Sequence, residues 1–283
     1  MITGANKGIG HAIAQTTLQK NLNFDIMMCS RDKVRGEEAI HGLTQKFPDY
    51  QGQLKLGMLD VNSATSIQAF SKSLESTNTK VDVLVNNAGI LRMPKKETDY
   101  ATAAETFGIN YWGAVNTTTA MLPSMNDKSK ILFMGSIVAH DAFKKCSDQI
   151  QYRMKGHFSG PEEINSFAQE YLDDVQSGDW KDAGYHPWEL AMSKLFIQVY
   201  CSALGRSDEI TQKGIQCYTM HPGVIASDQN GHNKKYRPTI DGARSTIGLI
   251  EKEFEIDEDT QGGFFHEDGS FLELGDPFKM MMK

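Results

Sequence analysis

Three glycines near the start of the chain are spaced for binding a phosphate group. They are part of the segment Thr3-Gly4-Ala5-Asn6-Lys7-Gly8-Ile9-Gly10. The spacing differs from G-x-G-x-x-G, but glycines here would equally permit a tight turn and let a phosphate approach the backbone. A helix that begins near Gly8 would add free N–H groups and the positive end of its dipole. A plain strand-to-helix turn has the same pattern, so these glycines alone are weak evidence for a nucleotide site.

A second motif, Asn86-Asn87-Ala88-Gly89, follows directly on the apolar, β-branched segment Val81–Val85. Such a segment is typical of a strand that is buried on both faces of a parallel sheet. The two motifs together resemble those of the short-chain dehydrogenase/reductase family. The resemblance extends from Met1 to about Leu274 through further matches at Asp60-Val61, Asn110, Ser136, Lys194 and Pro222-Gly223.

Within this family, the chain is most similar to the monomeric NADPH-dependent carbonyl reductases. The glycine loop, the segment Ser30–Gly36 and a long insertion before Lys194 carry this similarity. The resemblance implies that the insertion covers a helix face used for oligomerisation in other members, and therefore that the protein is a monomer. The cofactor-binding residues that it implies are Gly4, Asn6, Lys7, Gly8, Ile9, Gly10, Arg31, Arg35, Asp60, Val61, Asn87, Ala88, Gly89, Lys194, Pro222, Gly223 and Val224.

The charges near Cys29 favour NADP(H) over NAD(H). Sheets that bind NAD usually carry Asp or Glu at this point, where the carboxylate holds the ribose 2′-hydroxyl. This chain has Cys29-Ser30-Arg31 there. Arg31, Arg35 and Lys7 would form a positive cluster around a 2′-phosphate, and Asp32 is expected to point away. The alternative is that these are ordinary surface charges.

The family's reaction is hydride transfer between nicotinamide C4 and a carbonyl group, to which the protein contributes position, electrostatics and a proton. The resemblance implies that Ser136 binds the carbonyl oxygen, that Lys194 binds the nicotinamide ribose and lowers the pKa of the proton donor, and that Asn110 holds a water. In the family the donor is a tyrosine one helical turn before the lysine, but here that position is Leu190. None of the nine tyrosines has a lysine four residues later. We therefore expect weak activity, or a substitute donor among Tyr185, His186 and His140.

The elements that must position these residues alternate between strand and helix patterns. This alternation predicts a Rossmann-type doubly wound α/β fold, a mostly parallel sheet with helices on both faces. We expect one domain over residues 1–275, a helical insertion at about 140–186 and a tail at 276–283. Only Met1–Thr3 precede the glycine loop, so the first strand is expected to be truncated; either it is short or the sequence starts late. The predicted strands are Phe24–Cys29, Gln53–Leu59, Val81–Val85, Ile131–Met134 and Ile215–Met220, and the clearest helices are Lys33–Lys46 and Ser63–Leu74.

The composition narrows the class of protein further. A net charge of −7 argues against a nucleic-acid partner, and no apolar run approaches the roughly 18 residues that span a membrane. No secretion signal is visible, and four cysteines outside any C-x-x-C pair indicate reduced thiols and no metal site. We expect a cytoplasmic NADPH-dependent reductase of small carbonyl compounds or quinones. The alternative is an impaired NADPH-binding protein that serves as a sensor or partner. The cysteines are Cys29, Cys146, Cys201 and Cys217.

Overall fold

The computed structural model describes residues 1–93, 97–156, 158–226, 231, 235–254, 256–257 and 259–276. The strands are β1 Ile26–Ser30, β2 Leu54–Met58, β3 Val81–Asn86, β4 Met125–Met134, β5 Gln216–Met220, β6 Phe264–Phe265 and β7 Phe271–Leu272. The helices are α1 Gly8–Gln19, α2 Lys33–Lys46, α3 Ala64–Ser76, α4 Tyr100–Phe107, α5 Gly113–Met121, α6 Val138–Lys145, α7 Asp148–Met154, α8 Pro161–Ser177, α9 Glu189–Gly205, α10 Asp208–Gln212 and α11 Arg244–Glu251. Of the predicted tail, only Asp276 lies within the described residues.

The strands form one twisted arrangement in the order β2-β1-β3-β4-β5-β6-β7, with the short segment Met1–Thr3 between β1 and β3. The pairs β1·β2, β3·β4, β4·β5 and β5·β6 are parallel, and only β6·β7 is antiparallel. The predicted mostly parallel, doubly wound α/β fold is therefore confirmed. Each predicted strand is present within one or two residues of its expected position, except that β4 begins six residues earlier, at Met125.

The short segment Met1–Thr3 occupies the centre of the sheet. Ile2 makes parallel bridges to Met28 on one side and to Val85 on the other. Its N–H donates to Met27 O at 2.9 Å, and its carbonyl accepts from Cys29 N at 2.9 Å. On the other side, Val85 N donates to Met1 O at 2.9 Å. The stub therefore ties β1 to β3 at their carboxyl ends, which is the half of the sheet next to the glycine loop.

Beside Met1, towards the amino ends of β1 and β3, these two strands flank a slot of about 250 Å³. A residue in a parallel strand directs its N–H and its carbonyl toward the same neighbour. Met27 O accepts from Ile2 N and Val83 O accepts from the Met1 amino group, so the N–H groups of both residues face the slot. Ile13 and Ile26 contribute apolar wall. Backbone donors of both flanking strands therefore line the slot.

Side chains alternate between two hydrophobic layers, one on each face of the sheet. Ile131 and Phe133 of β4 face the layer covered by α3, α4, α5 and α9. Leu132 and Met134 face the layer covered by α1 and α11. This is the pattern of a strand buried on both sides. The four cysteines are buried and unpaired.

The predicted helical insertion is built from α6, α7 and α8. Helix α8 begins at Pro161, a residue favoured in the first turn, and ends at Ser177, before Gly178, whose φ of 92° is the left-handed conformation that terminates many helices. Its aromatic side chains pack on α9, where the ring centroids of Phe167 and Phe196 are 5.2 Å apart. The insertion therefore buries an outer face of α9. Among the described residues, no helix has the length and apolar character to cross a membrane.

Four β-branched residues added before Met1 should raise the melting temperature, because they would pair with Met27 and Val83 and cover the apolar wall of the slot. A net backbone hydrogen bond contributes about 1 kcal/mol. A gain of about 1 kcal/mol in the free energy of unfolding raises the melting temperature of a chain of this size by about 2–4 °C. We therefore expect a rise of at least about 4 °C by calorimetry. A Gly/Ser extension of equal length is the control, and equal melting temperatures for the two would show that the slot does not accept a strand.

Candidate active site

Two loops meet where the stub and β3 end. The Thr3 Oγ1 atom accepts hydrogen bonds from Asn87 N and Ala88 N, both at 2.9 Å. In return, Asn87 Nδ2 donates to Thr3 O at 2.8 Å and to Gly4 O at 3.3 Å. The glycine loop and the Asn86–Gly89 motif are therefore one hydrogen-bonded unit, although more than 80 residues separate them in the sequence.

Gly10 and Gly8 of the first loop serve different structural purposes. A Cβ atom at Gly10 would lie 2.8 Å from Gly4 O, so this glycine permits the close packing of α1 on the loop. Gly8 has a φ of 61° and nothing within 4 Å of a Cβ position, so its backbone faces open space at the start of α1. Next to it is a cleft of about 350 Å³ lined by Asn6, Lys7, Gly8 and His11 among others. A phosphate group fits this arrangement of exposed helix N-terminus and open glycine.

The basic residues predicted to select the cofactor lie at the end of β1. Ala5 N donates to Cys29 O at 2.9 Å, which brings the glycine loop against this strand end. Arg31 and Arg35 are exposed there. Asp32 does not simply point away: it caps α2 by accepting from Arg35 N at 3.1 Å and forms an ion pair of 3.4 Å with the Arg35 guanidinium. The positive charge of Arg35 is thus partly neutralised by Asp32. Arg31 is therefore the better candidate to bind an anion.

The predicted cofactor-binding residues Asp60 and Val61 lie in the turn after β2. The Asp60 carboxylate accepts from Asn62 N at 3.0 Å and Asp60 N donates to Ser66 Oγ at 2.9 Å, which fixes the turn. The Val61 side chain packs against Gly113, where a Cβ would meet Val61 Cγ2 at 3.0 Å. This turn is held by its own hydrogen bonds, so its position does not depend on a bound group.

Asn110 is held in a π-helix, Gly108–Trp112, that joins α4 to α5. Such local widening of a helix is frequent at functional sites. The Asn110 Oδ1 atom accepts from Ile90 N at 2.8 Å, and Asn110 Nδ2 donates to Ile90 O at 2.9 Å. The side-chain amide therefore pairs with both backbone groups of Ile90, in the loop after Gly89. A longer bond of 3.4 Å runs from Nδ2 to Ser193 Oγ, which links Asn110 to the helix that carries Lys194.

Lys194 is bonded to the carboxyl end of β4, which leads into Ser136. The Lys194 ammonium is buried and donates to Met134 O at 2.5 Å, two residues before Ser136. Burial lowers the pKa of Lys194 to about 8. Ser136 is half-buried in the loop after β4, where its Oγ accepts from Val138 N at 3.5 Å. The structure therefore brings a desolvated ammonium to the strand end that carries the Ser136 loop.

Leu190 lies one turn before Lys194 in α9 and is buried, with 7% of its surface exposed. The three proposed substitute donors have other surroundings. Tyr185 packs into the aromatic core of the insertion, 5.0 Å from the Tyr171 ring centroid. His186 Nδ1 accepts from Trp188 N at 3.2 Å. His140 is fully buried with its ring 4.7 Å from that of Phe264, and burial lowers its pKa to about 4. These contacts do not favour any of the three as the missing acid.

The loop after β5 completes the carboxyl edge of the sheet. Gly223 has a φ of 85°, and a Cβ there would overlap Glu267 Oε2 and Arg237 Nη2. These two side chains form an ion pair beneath the glycine. The backbone of Arg237 also forms a parallel β-bridge with that of Ile225. Val224 O accepts from Arg237 N at 3.2 Å. Sequence reasoning missed this pair, because no motif joins residues 30 positions apart in different loops.

A parallel, doubly wound sheet with a glycine loop, a buried lysine and a serine at its carboxyl edge defines a dinucleotide-binding class of enzyme. The family model described as short chain dehydrogenase matches residues 1–148, which is more than half of the chain. The chain belongs to the short-chain dehydrogenase family. The match contains both cofactor loops, Asn110 and Ser136.

Comparisons with known proteins agree with this assignment. Carbonyl reductase [NADPH] 1 from Bos taurus is 27% identical over 253 residues, which cover 88% of this chain and 89% of that protein. The structure of salutaridine reductase from Papaver somniferum has a TM-score of 0.76 at 20% identity and covers 94% of this chain and 98% of that one. NADPH-bound carbonyl reductase from chicken fatty liver has a TM-score of 0.65 at 20% identity, covering 96% of each chain.

Replacing Thr3 by Val should destabilise the protein, because Ala88 N would lose its acceptor and Asn87 N would keep only its bond of 3.0 Å to Val85 O. An unsatisfied buried donor costs about 1–3 kcal/mol, and Ala88 is half-buried, so we expect a loss near the lower end, about 1 kcal/mol, in the free energy of unfolding. Urea denaturation measures it. Thr3→Ser keeps the hydroxyl and should lose much less. If both variants are equally destabilised, the methyl group and not the hydroxyl holds the two loops together.

Proposed function

We propose that this protein is an NADPH-dependent reductase of carbonyl compounds, meaning aldehydes, ketones or quinones. The observation that carries the proposal is the bond from Lys194 to Met134 O at the end of β4, two residues before Ser136, on a sheet whose glycine loop and Asn86–Gly89 loop are hydrogen-bonded to each other. The similarity to carbonyl reductase [NADPH] 1 supports both the reaction and the cofactor. The family alone defines neither the substrate nor the rate.

The residues around the glycine loop fit the proposed cofactor. The open backbone at Gly8 and the start of α1 suit a pyrophosphate. Arg31 suits a 2′-phosphate, because it lies at the strand end where NAD-binding proteins carry an acid. We assign the adenosine half to the turn at Asp60-Val61 and to Asn87–Gly89, and the nicotinamide half to Lys194 and the loop Pro222–Val224. When bound, NADPH supplies the hydride that reduces the carbonyl carbon.

The protein's part is to bind and polarise the carbonyl oxygen. The Ser136 hydroxyl would donate to that oxygen, and the Lys194 ammonium would hold the nicotinamide ribose and stabilise the negative charge that develops nearby. Asn110 would hold a water that connects Lys194 to solvent. Leu190 supplies no proton, and the loss of a general acid typically costs about 10²–10⁴ in rate. Quinones suit such a site best, because hydride addition to a quinone depends less on a strong protein acid.

Leu190 also supports a second candidate function, that of an NADPH-binding protein with little or no turnover. The cofactor loops are held by contacts that do not involve residue 190, so binding would survive without catalysis. In either case we propose a single domain over residues 1–275 and a monomer, since α8 buries the face of α9. We also propose a cytoplasmic location, which is consistent with four unpaired cysteines.

Arg31→Ala should weaken NADPH binding about 10- to 100-fold, because a hydrogen bond to a charged group contributes about 1.5–3 kcal/mol. NADH affinity should not change, since NADH lacks the 2′-phosphate. Fluorescence titration with both nucleotides measures the ratio. Lys33→Ala, which removes an exposed cation from the same helix start, is the matched control. An equal loss for NADH and NADPH would contradict the assignment of Arg31 to the 2′-phosphate.

Leu190→Tyr should raise the rate of NADPH oxidation with quinones and aromatic aldehydes by about 10²–10⁴, because it restores an acid one turn before Lys194. Stopped-flow or steady-state absorbance at the NADPH band measures it. Leu190→Phe is the control, since it adds a ring of similar size without a hydroxyl.

The outcomes separate the two candidate functions. Turnover only in the tyrosine variant would identify the natural protein as a binder. Turnover in the unaltered chain, with little gain from tyrosine, would identify a reductase with another proton source. Failure of the unaltered chain to bind NADPH would contradict both.

A further inference from the structure

The loop that carries Ser136 is attached on both sides to the end of β5. Gly135 N donates to Met220 O at 2.8 Å. Ile137 N donates to His221 Nδ1 at 3.4 Å. Since Met220 and His221 are consecutive, Ser136 is held between two neighbouring anchors. The first anchor is a backbone bond that any residue could make. The second depends on one side chain.

The surroundings of His221 fix its imidazole in place. Only 5% of the residue is exposed, and its own N–H donates to Phe265 O at 2.8 Å. The ring centroid lies 5.3 Å from that of His266, whose Nδ1 is 3.4 Å from Asp268 Oδ1. The imidazole is therefore held by β5, β6 and the loop that follows β6.

The protonation state suits an acceptor. Burial lowers the pKa of His221 to about 3, with smaller contributions in the same direction from His266, Arg237 and His140. The ring is therefore neutral at physiological pH. A neutral imidazole carries one proton, so a lone pair at Nδ1 requires the proton to be on Nε2. The hydrogen bond from Ile137 thus specifies one tautomer.

We propose that His221 is a positioning residue for the reduction, acting on the Ser136 hydroxyl through the amide of Ile137. The proposal depends on the reductase function proposed above, because it assigns the purpose of holding Ser136. His221 immediately precedes Pro222-Gly223, so one side chain would set the serine loop relative to the loop assigned to the nicotinamide half. If the residue served only to fill space at the strand end, a ring of similar size without an acceptor would replace it.

The first test needs no turnover. Amide hydrogen exchange at Ile137, followed by NMR in the unliganded protein, should become about tenfold faster in His221→Phe. It should stay near the original value in His221→Asn, because the asparagine oxygen can reach the position of Nδ1. The ¹⁵N shifts of the His221 ring should show the Nε2–H tautomer from pH 5 to 8. Unchanged exchange in the phenylalanine variant, or an Nδ1–H tautomer, would overturn the proposal.

The second test measures the consequence for the reaction, in the unaltered chain or, if that is silent, in the Leu190→Tyr background. His221→Phe should lower kcat about tenfold while NADPH affinity stays within twofold, and His221→Asn should restore most of the loss. Adding Ser136→Ala should abolish the difference between His221 and Phe, because the effect passes through that hydroxyl. Additive losses, or equal losses of kcat and NADPH affinity, would count against a positioning role.

The two tests keep the proposals distinguishable. If no variant oxidises NADPH with any carbonyl or quinone, the reductase function fails, and with it the purpose assigned to His221. The exchange measurement would still decide whether the anchor exists.

Discussion

The hydroxyl of Thr3 is the interaction on which both halves of the site depend. One loop follows the segment Met1–Thr3 and another follows β3. The Thr3 hydroxyl holds the two loops together by accepting hydrogen bonds from the amides of Asn87 and Ala88. Asn87 Nδ2 also holds Thr3 O and Gly4 O, so the start of the glycine loop is fixed against the Asn86–Gly89 loop. A single short residue at the end of a three-residue strand therefore determines the shape of the cleft.

The second constraint is the buried charge of Lys194. Removing an ammonium from water is costly unless hydrogen bonds compensate, and the bond to Met134 O supplies one fixed partner. The carbonyl belongs to the end of β4, so the lysine is positioned by the sheet and not by the side chain one turn before it. This explains how leucine can occupy position 190 without disturbing the lysine. The leucine is buried, whereas a buried tyrosine hydroxyl would need a hydrogen-bond partner of its own.

Much of the fold could be predicted from the sequence, because the strand at Val81–Asn86 and the helix at Lys33–Lys46 have clear local patterns. The glycine and Asn-Asn-Ala-Gly motifs also indicated the binding edge. The ion pair of Arg237 with Glu267 and the contact of His221 with the serine loop had no local signal. Both join residues that become neighbours only when parallel strands align their carboxyl ends. Asp32 was expected to point away, although the helix predicted from Lys33 places it at the N-cap, where its carboxylate turns back to Arg35.

Binding and chemistry are separable in this architecture for a physical reason. The cofactor loops are held largely by backbone groups and by Thr3 and Asn87, which lie on the stub and β3. The position of the family's proton donor is on α9, which is linked to the loop after Gly89 by the Asn110–Ser193 contact of 3.4 Å and, at its N-cap, by the bond of 2.8 Å from Trp188 Nε1 to Arg92 O. Leucine at position 190 therefore removes the proton donor without breaking any of the hydrogen bonds that hold these loops. Under the function proposed above, the chain can therefore lack the family's general acid and keep its cofactor loops, and we expect affinity for NADPH and turnover to vary independently.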